Sequence, residues 1–139
     1  MKDYQQIQAT YIHTPFCVQK CLYCDFASYA CRDTNIMKEY AQAVCREIAS
    51  GGAVKLPVNP QATIYFGGGT PSTLSHAHLD KIFTALEKNF DLSAVEEVTI
   101  ECNPDDLNKD YISRLKNLPI NRLSMGIQTF NEDEIKILG

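Results

Sequence analysis

The sequence contains no apolar run near the roughly 18 residues that a membrane span requires. Its first residues, Met1-Lys2-Asp3-Tyr4-Gln5-Gln6, lack the apolar stretch of a signal peptide. With neither present, a cytoplasmic protein is expected. Basic residues are few and scattered: 13 Lys and Arg stand against 17 Asp and Glu, for a net charge of −4. Nucleic-acid backbones are held by concentrations of Lys and Arg, so nucleic acid is not an expected partner. No short repeat, low-complexity tract or linker interrupts the chain. Two phosphate-binding signatures are also missing. The glycine string Gly67-Gly68-Gly69 has no Gly-Lys-Ser/Thr ending, and Ser72 stands where a dinucleotide fingerprint needs its last glycine.

What remains is a globular chain. Its 139 residues suit one domain, and 45% hydrophobic with 22% charged residues can build a core. In a reducing compartment its six cysteines read as metal ligands or buried thiols rather than disulfides. Strand-like and helix-like segments alternate. The first strand is Thr10 to Thr14, followed by a long loop over 15–33 with Pro15 and three cysteines. A helix over 34–50 follows, because Met37, Tyr40, Ala41, Val44, Cys45 and Ile48 form one apolar stripe. Gly51-Gly52 ends that helix, and 53–60, with two prolines, is a connector.

The second strand is Ala62 to Phe66, stopped by the glycines. The second helix covers 75–89 with Ser75 as N-cap and Leu79, Ile82, Phe83 and Leu86 inward. The third strand is Glu97 to Cys102. A third helix over 106–117 has Leu107, Tyr111, Ile112 and Leu115 inward, with Asp105-Asp106 as its solvated start. The fourth strand spans 121–127. A fourth helix opens at Asn131 with Glu134 three residues on, in the manner of a capping box, and stops at Gly139. The expected fold is α/β, four βα units around a parallel sheet with right-handed crossovers.

In such folds ligands sit at the carboxyl ends of the strands. Here those ends carry four unusual features: the loop Cys17-Val18-Gln19-Lys20-Cys21-Leu22-Tyr23-Cys24, the string Gly67-Gly68-Gly69-Thr70-Pro71, the segment Glu101-Cys102-Asn103-Pro104, and Gln128-Thr129. Thiolates are soft ligands for zinc or iron–sulfur clusters. Structural zinc takes four protein ligands in paired knuckles, and no second knuckle is present. Three thiolates suit a [4Fe–4S] cube with one iron open, whereas closed cubes use four cysteines. The alternatives are a zinc site completed by Cys31, and three unrelated thiols. The glycine string reads as a tight turn or as backbone that cradles a ligand. Glu101 reads as a cap or solvated side chain, or as an acceptor for vicinal ribose hydroxyls, and Gln128 has the same two readings. Cys45 is expected in the core, Cys102 toward the helical layer, and Cys31 in a loop or core role. His13, His76 and His78 lack metal-like spacing and read as structural or surface residues.

At Cys17, Cys21, Tyr23 and Cys24 the sequence resembles the radical S-adenosylmethionine superfamily, whose mark is C-x3-C-x-aromatic-C. The strings Tyr11 to Cys17, Gly67 to Pro71, Glu101 to Pro104 and Arg122 to Asn131 narrow the resemblance to the oxygen-independent coproporphyrinogen III oxidase family. This implies that Cys17, Cys21 and Cys24 ligate three irons of a [4Fe–4S] cluster, and that S-adenosylmethionine binds the fourth. It places Tyr11 near cofactor and cluster, Tyr23 on the adenosyl side, and the Gly67-Gly68-Gly69-Thr70 string at the methionine amino group. It gives Glu101 the ribose and Gln128 the rest of the pocket. It further implies a partial (β/α)6 barrel of which this chain is the N-terminal part, truncated after four units. A reductant such as flavodoxin or ferredoxin and a haem or porphyrin partner are also implied. The decarboxylating oxidases resemble one another in a fourth cysteine two residues after the third. Here Cys24-Asp25-Phe26 stands instead, which is similar to the haem-chaperone (HemW-like) branch.

Overall fold

The computed structural model describes residues 7–51 and 58–138. The expectations for the N-terminal residues 1–6, for Gly52, for connector residues 53–57 and for the stop at Gly139 lie outside them. The main sheet has four parallel strands in the order β1 (Ile7–Thr14), β4 (Val58–Gly68), β5 (Glu97–Cys102) and β6 (Arg122–Met125). A second, two-stranded parallel sheet joins β2 (Phe16–Cys17) to β3 (Tyr29–Ala30). The helices are α1 (Thr34–Ser50), α2 (His76–Asn89), α3 (Lys109–Leu115) and α4 (Glu132–Leu138), with 3-10 turns at Pro71–Thr73, Leu92–Ala94 and Pro104–Asp106. Among the described residues no helix is long and apolar enough to cross a membrane.

The alternation of strand residues sorts the sheet into two faces. Ile12, Ile64, Phe66, Val98, Ile100 and Cys102 point to one face and are buried against Met37 and Ala41 of α1 and Leu79, Ile82, Phe83 and Leu86 of α2. Phe66 and Phe83 meet with ring centroids 5.2 Å apart. Cys102 thus joins the core as the alternation requires, while Cys31 and Cys45 are only partly buried against it. Each helix begins on a side-chain acceptor. Asp33 accepts from the amide of Asn35, Ser75 from His78 and Asn108 from Tyr111.

The structure differs from the sequence pattern at several boundaries. β4 starts at Val58, inside the expected connector, and runs through Pro60 to Gly68. Pairing explains the tolerance: Ile7 lies opposite Val58 but Ala9 opposite Thr63, so the stretch with Pro60 bulges out of the ladder, where no amide is demanded of it. Gly51 closes α1 with φ −65, so this C-cap needs no left-handed residue. The third helix is shorter than 106–117. Residues 104–106 form a 3-10 turn, Asn108 restarts the chain as N-cap, and Ile112 is exposed. The fourth strand is confined to Arg122–Met125. At α4, Asn131 caps the amides of Asp133 and Glu134, but the Glu134 carboxylate takes the Thr129 hydroxyl rather than closing the box on Asn131.

Candidate functional site

The carboxyl ends of the strands open into one cleft of about 620 Å³. Its wall is the cysteine loop, with Cys17, Cys21, Tyr23, Cys24 and Phe26. Its floor is Gly68, Gly69 and Thr70, and its far side is Glu101, Asn103, Ser124, Gly126 and Gln128. Nine of the eleven residues singled out in the sequence therefore meet in one cavity, though they come from four separate segments. Tyr11 and Gly67 do not line it. Tyr11 is 57% exposed on the open face of the sheet, its ring stacked on that of Tyr65 at 6.1 Å, and Gly67 lies beneath these two rings.

The cysteine loop is held at both ends. β2 pairs Phe16 with Tyr29 and Cys17 with Ala30, and the Cys31 amide donates to the Cys17 carbonyl at 3.0 Å. Phe16 is buried, with Tyr29 and Tyr40 edge-on to its ring. Inside the loop the Lys20 ammonium donates to the carbonyl of Phe26 at 2.6 Å and to that of Ser28 at 3.3 Å. The Cys24 amide donates to the Cys21 carbonyl at 3.1 Å. His13 adds a strap: its Nε2 lies 2.8 Å from the Ala27 carbonyl and donates to it, while Nδ1 accepts from the Tyr11 hydroxyl at 3.2 Å. His13 is a structural residue, as its sequence context suggested, but one aimed at the loop.

The glycine string is pinned against the same loop. Gly69 and Thr70 donate their amides to the carbonyls of Thr14 and Phe16, at 2.7 and 2.6 Å. A Cβ on Gly69 would stand 2.6 Å from the Phe16 oxygen and 3.0 Å from the Cys17 sulfur. Only glycine allows that approach. Gly68 adopts φ +115, a conformation that side chains disfavour, and its missing Cβ leaves room for the His13 ring. The Thr70 hydroxyl donates to the Cys17 sulfur at 3.5 Å.

Glu101 is only half-buried and both its oxygens are in use. Oε1 accepts from the Tyr65 hydroxyl at 2.7 Å and Oε2 from the Gly68 amide at 3.1 Å. Behind it, the Ser72 hydroxyl donates to Asp106 and accepts from the Asn103 amide at 3.1 Å, tying the glycine loop to the end of β5. Asp106 is thus no solvated helix start. Gln128 is exposed, with its amide nitrogen lying back over Gly126. Burial first, and then the Cys21 and Cys24 sulfurs, push the Tyr23 hydroxyl above its ordinary pKa. Lys20, Tyr65, Ser72 and Asn103 carried no signal in the sequence. Tyr65 could have been found by parity, since it shares a face with Gly67 and lies beside β5.

The donor set fits a cluster with an open iron. Three half-buried thiols line the cleft, all six cysteines are free, and Cys102, which borders the cleft, turns its thiol into the core toward the Ile100 carbonyl. Among the described residues no three His, Cys, Asp or Glu side chains converge closely enough to share one ion, as a zinc site would need.

Residues 11–139 match the model of the radical SAM superfamily. Over 135 residues the chain is 40% identical to "Heme chaperone HemW" of Lactococcus lactis, covering 97% of this chain and 34% of that protein. It is 36% identical to "Heme chaperone HemW" of Escherichia coli, over 93% of this chain and 34% of that protein. Its fold superposes on the coproporphyrinogen III oxidase HemN of Escherichia coli, a radical SAM enzyme, with a TM-score of 0.84 and 27% identity, over 99% of this chain and 32% of that one. The chain spans about a third of the length of these relatives. Radical SAM proteins in general use a [4Fe–4S] cluster and S-adenosylmethionine. With the parallel α/β sheet, the cleft at its carboxyl end and the family match in agreement, this chain belongs to the radical SAM superfamily.

Proposed function

We propose that this chain is the N-terminal part of a radical SAM core, four units of a partial (β/α)6 barrel, and works in a HemW-like haem chaperone. Cys17, Cys21 and Cys24 hold three irons of a [4Fe–4S] cluster, and S-adenosylmethionine occupies the remainder of the cleft. The observation that carries this reading is the shared cavity: thiols, glycine backbone, Glu101 and Gln128 face one volume of about 620 Å³. When bound, the cluster supplies the electron that cleaves a carbon–sulfur bond of S-adenosylmethionine. The chain's own residues bind and orient. Gly69 and Thr70 bring backbone and a hydroxyl against Cys17. Gly68, Gly69 and Thr70 meet the methionine end, Tyr23 packs on the adenosyl side, Glu101 accepts from the ribose, and Gln128 closes the rim. Tyr11 and Gly67 support the pocket from beneath, not from its lining.

Phe26 favours a chaperone over a decarboxylating oxidase. It stands on the cleft wall, 66% exposed, where the oxidases resemble one another in having a fourth cysteine. The curated relatives named as haem chaperones support the same choice. A haem or porphyrin partner and a flavodoxin- or ferredoxin-type reductant belong to this reading. Anaerobic reconstitution with iron and sulfide tests it. A brown protein absorbing in the blue is expected, and Cys21→Ala should remain colourless. Stoichiometric zinc with no iron after reconstitution would overturn it. A protein carrying this segment that converts coproporphyrinogen III and does not bind haem would overturn the chaperone assignment alone.

A further inference from the structure

Glu101 is tied down in a way that bears on what it can still bind. We infer that Tyr65 is a positioning residue, fixing the Glu101 carboxylate so that one acceptor site on each oxygen stays available to the two vicinal hydroxyls of a ribose. The inference rests on the reading of the cleft as an S-adenosylmethionine site.

The geometry begins in the sheet register. Tyr65 of β4 lies directly opposite Thr99 of β5, and Glu101 is two residues further toward the carboxyl end on the same face. The phenol spans that offset and donates to Oε1 at 2.7 Å. The Gly68 amide donates to Oε2 at 3.1 Å. A carboxylate has about four acceptor sites on two oxygens. One donor on each oxygen leaves one site on each, which is the complement of a vicinal diol. Both donors are neutral, so the carboxylate keeps its charge and its hydrogen bonds to a hydroxyl stay charge-assisted.

The ring itself is held by residues that never reach the cleft. A Cβ on Gly67 would lie 2.7 Å from Tyr65 Cε1 and 3.0 Å from the Tyr11 ring, so a bare glycine provides the seat for both rings. Tyr11 stacks on Tyr65 at 6.1 Å with 21° between planes. Tyr65 is not part of the hydrophobic core cluster, so its ring is placed for its hydroxyl rather than for packing on the helices. The hydrogen bond to Glu101, followed by burial, raises the Tyr65 pKa, which keeps the hydroxyl a donor. Tyr11, Tyr65 and Gly67 thereby act on the ligand through one carboxylate.

The test compares two probes, S-adenosylmethionine and its 2′-deoxyribose analogue, by equilibrium binding to the reconstituted protein and its Tyr65→Phe variant. Tyr65→Phe keeps the stacked ring and removes one hydroxyl. The wild type should prefer the ribose form. The variant should lose about fivefold in affinity for it, the worth of one ordinary hydrogen bond, and most of the preference, with little change in Tm. Gly67→Ala keeps the hydroxyl but displaces the ring, and should erode the preference in the same way. If both variants keep the wild-type preference, Tyr65 does not position Glu101. A wild type that binds both probes equally overturns the ribose role of Glu101 and with it that of Tyr65. A wild type that binds neither probe overturns the S-adenosylmethionine reading as a whole.

Discussion

The hydroxyl of Thr70 donates to the sulfur of Cys17, joining the glycine string to the first cysteine of the loop across 53 residues of sequence. Hydrogen bonds to cluster sulfurs are among the levers that set a cluster's potential, because they stabilise the more negative, reduced state. Thr70→Val removes the donor at nearly constant volume. Its reconstituted cluster should have a lower midpoint potential than the wild type, and Thr70→Ser should restore the wild-type value. Equal potentials in all three proteins would refute the role.

Gly68 combines φ +115 with a Cβ position 2.6 Å from the His13 ring. Gly68→Ala should destabilise the fold by about 2 kcal/mol, the cost of a side chain in a disfavoured backbone region. For a chain of this size that is a fall in Tm of roughly 5–10 °C. The variant should also release the Gly68 amide from Glu101. A thermal melt decides the first effect.

Lys20 closes the cysteine loop on itself through the Phe26 and Ser28 carbonyls. Lys20→Met keeps the aliphatic stem and removes the ammonium, for a local loss of ~1.5 kcal/mol. Amides between residues 25 and 29 should then exchange faster in the apoprotein, while those of α1 and α2 keep their rates. Hydrogen exchange measures both in one experiment.

Burial, reinforced by Asp106 and Glu101, pushes the Cys102 thiol up to about 11 from its ordinary 9.0. The folded chain therefore holds this proton more tightly than the unfolded one. Stability from this group is complete below pH 9 and is lost as pH rises from 9 toward 11. Denaturation midpoints should fall over that interval, and Cys102→Ala should flatten part of the slope. The measurement is a denaturant titration at several pH values.

Much of this was legible in the sequence, and the reasons are local. The stripe of Met37 and Ala41 and the alternation of Val98, Ile100 and Cys102 carry their own periodicity, so α1 and β5 could be placed from residues alone. β4 hid its first turn of sequence behind Pro60, because a bulge is a property of the pairing and not of the strand. The length of α3 was masked in the same way. Asp106 looks like a helix-starting acid until Ser72, 34 residues earlier, takes its carboxylate. The cleft's ligands were visible because cysteine, glycine and a strand-end carboxylate are unusual in those places. Tyr65, Lys20 and Ser72 are ordinary residues whose work depends on a partner far along the chain, and no local pattern announces them.

The far edge of the sheet carries Leu123, Met125, Ile127 and Phe130, and α4 adds Ile135 and Ile137, all exposed, Phe130 to 89%. So much apolar surface at a free strand edge favours association between copies, and the oligomeric state should rise with concentration.

The two-residue pairing of β2 with β3 has a consequence for the order of assembly. By joining Cys17 to Ala30, it draws the ends of the cysteine loop together in the polypeptide itself, with buried Phe16 as the anchor. The entropy of closing that loop is thus met by protein contacts before any iron arrives. Metal capture then becomes the filling of a standing cup rather than a folding event, and its rate is set by the delivery of iron and sulfide, not by the motion of the chain.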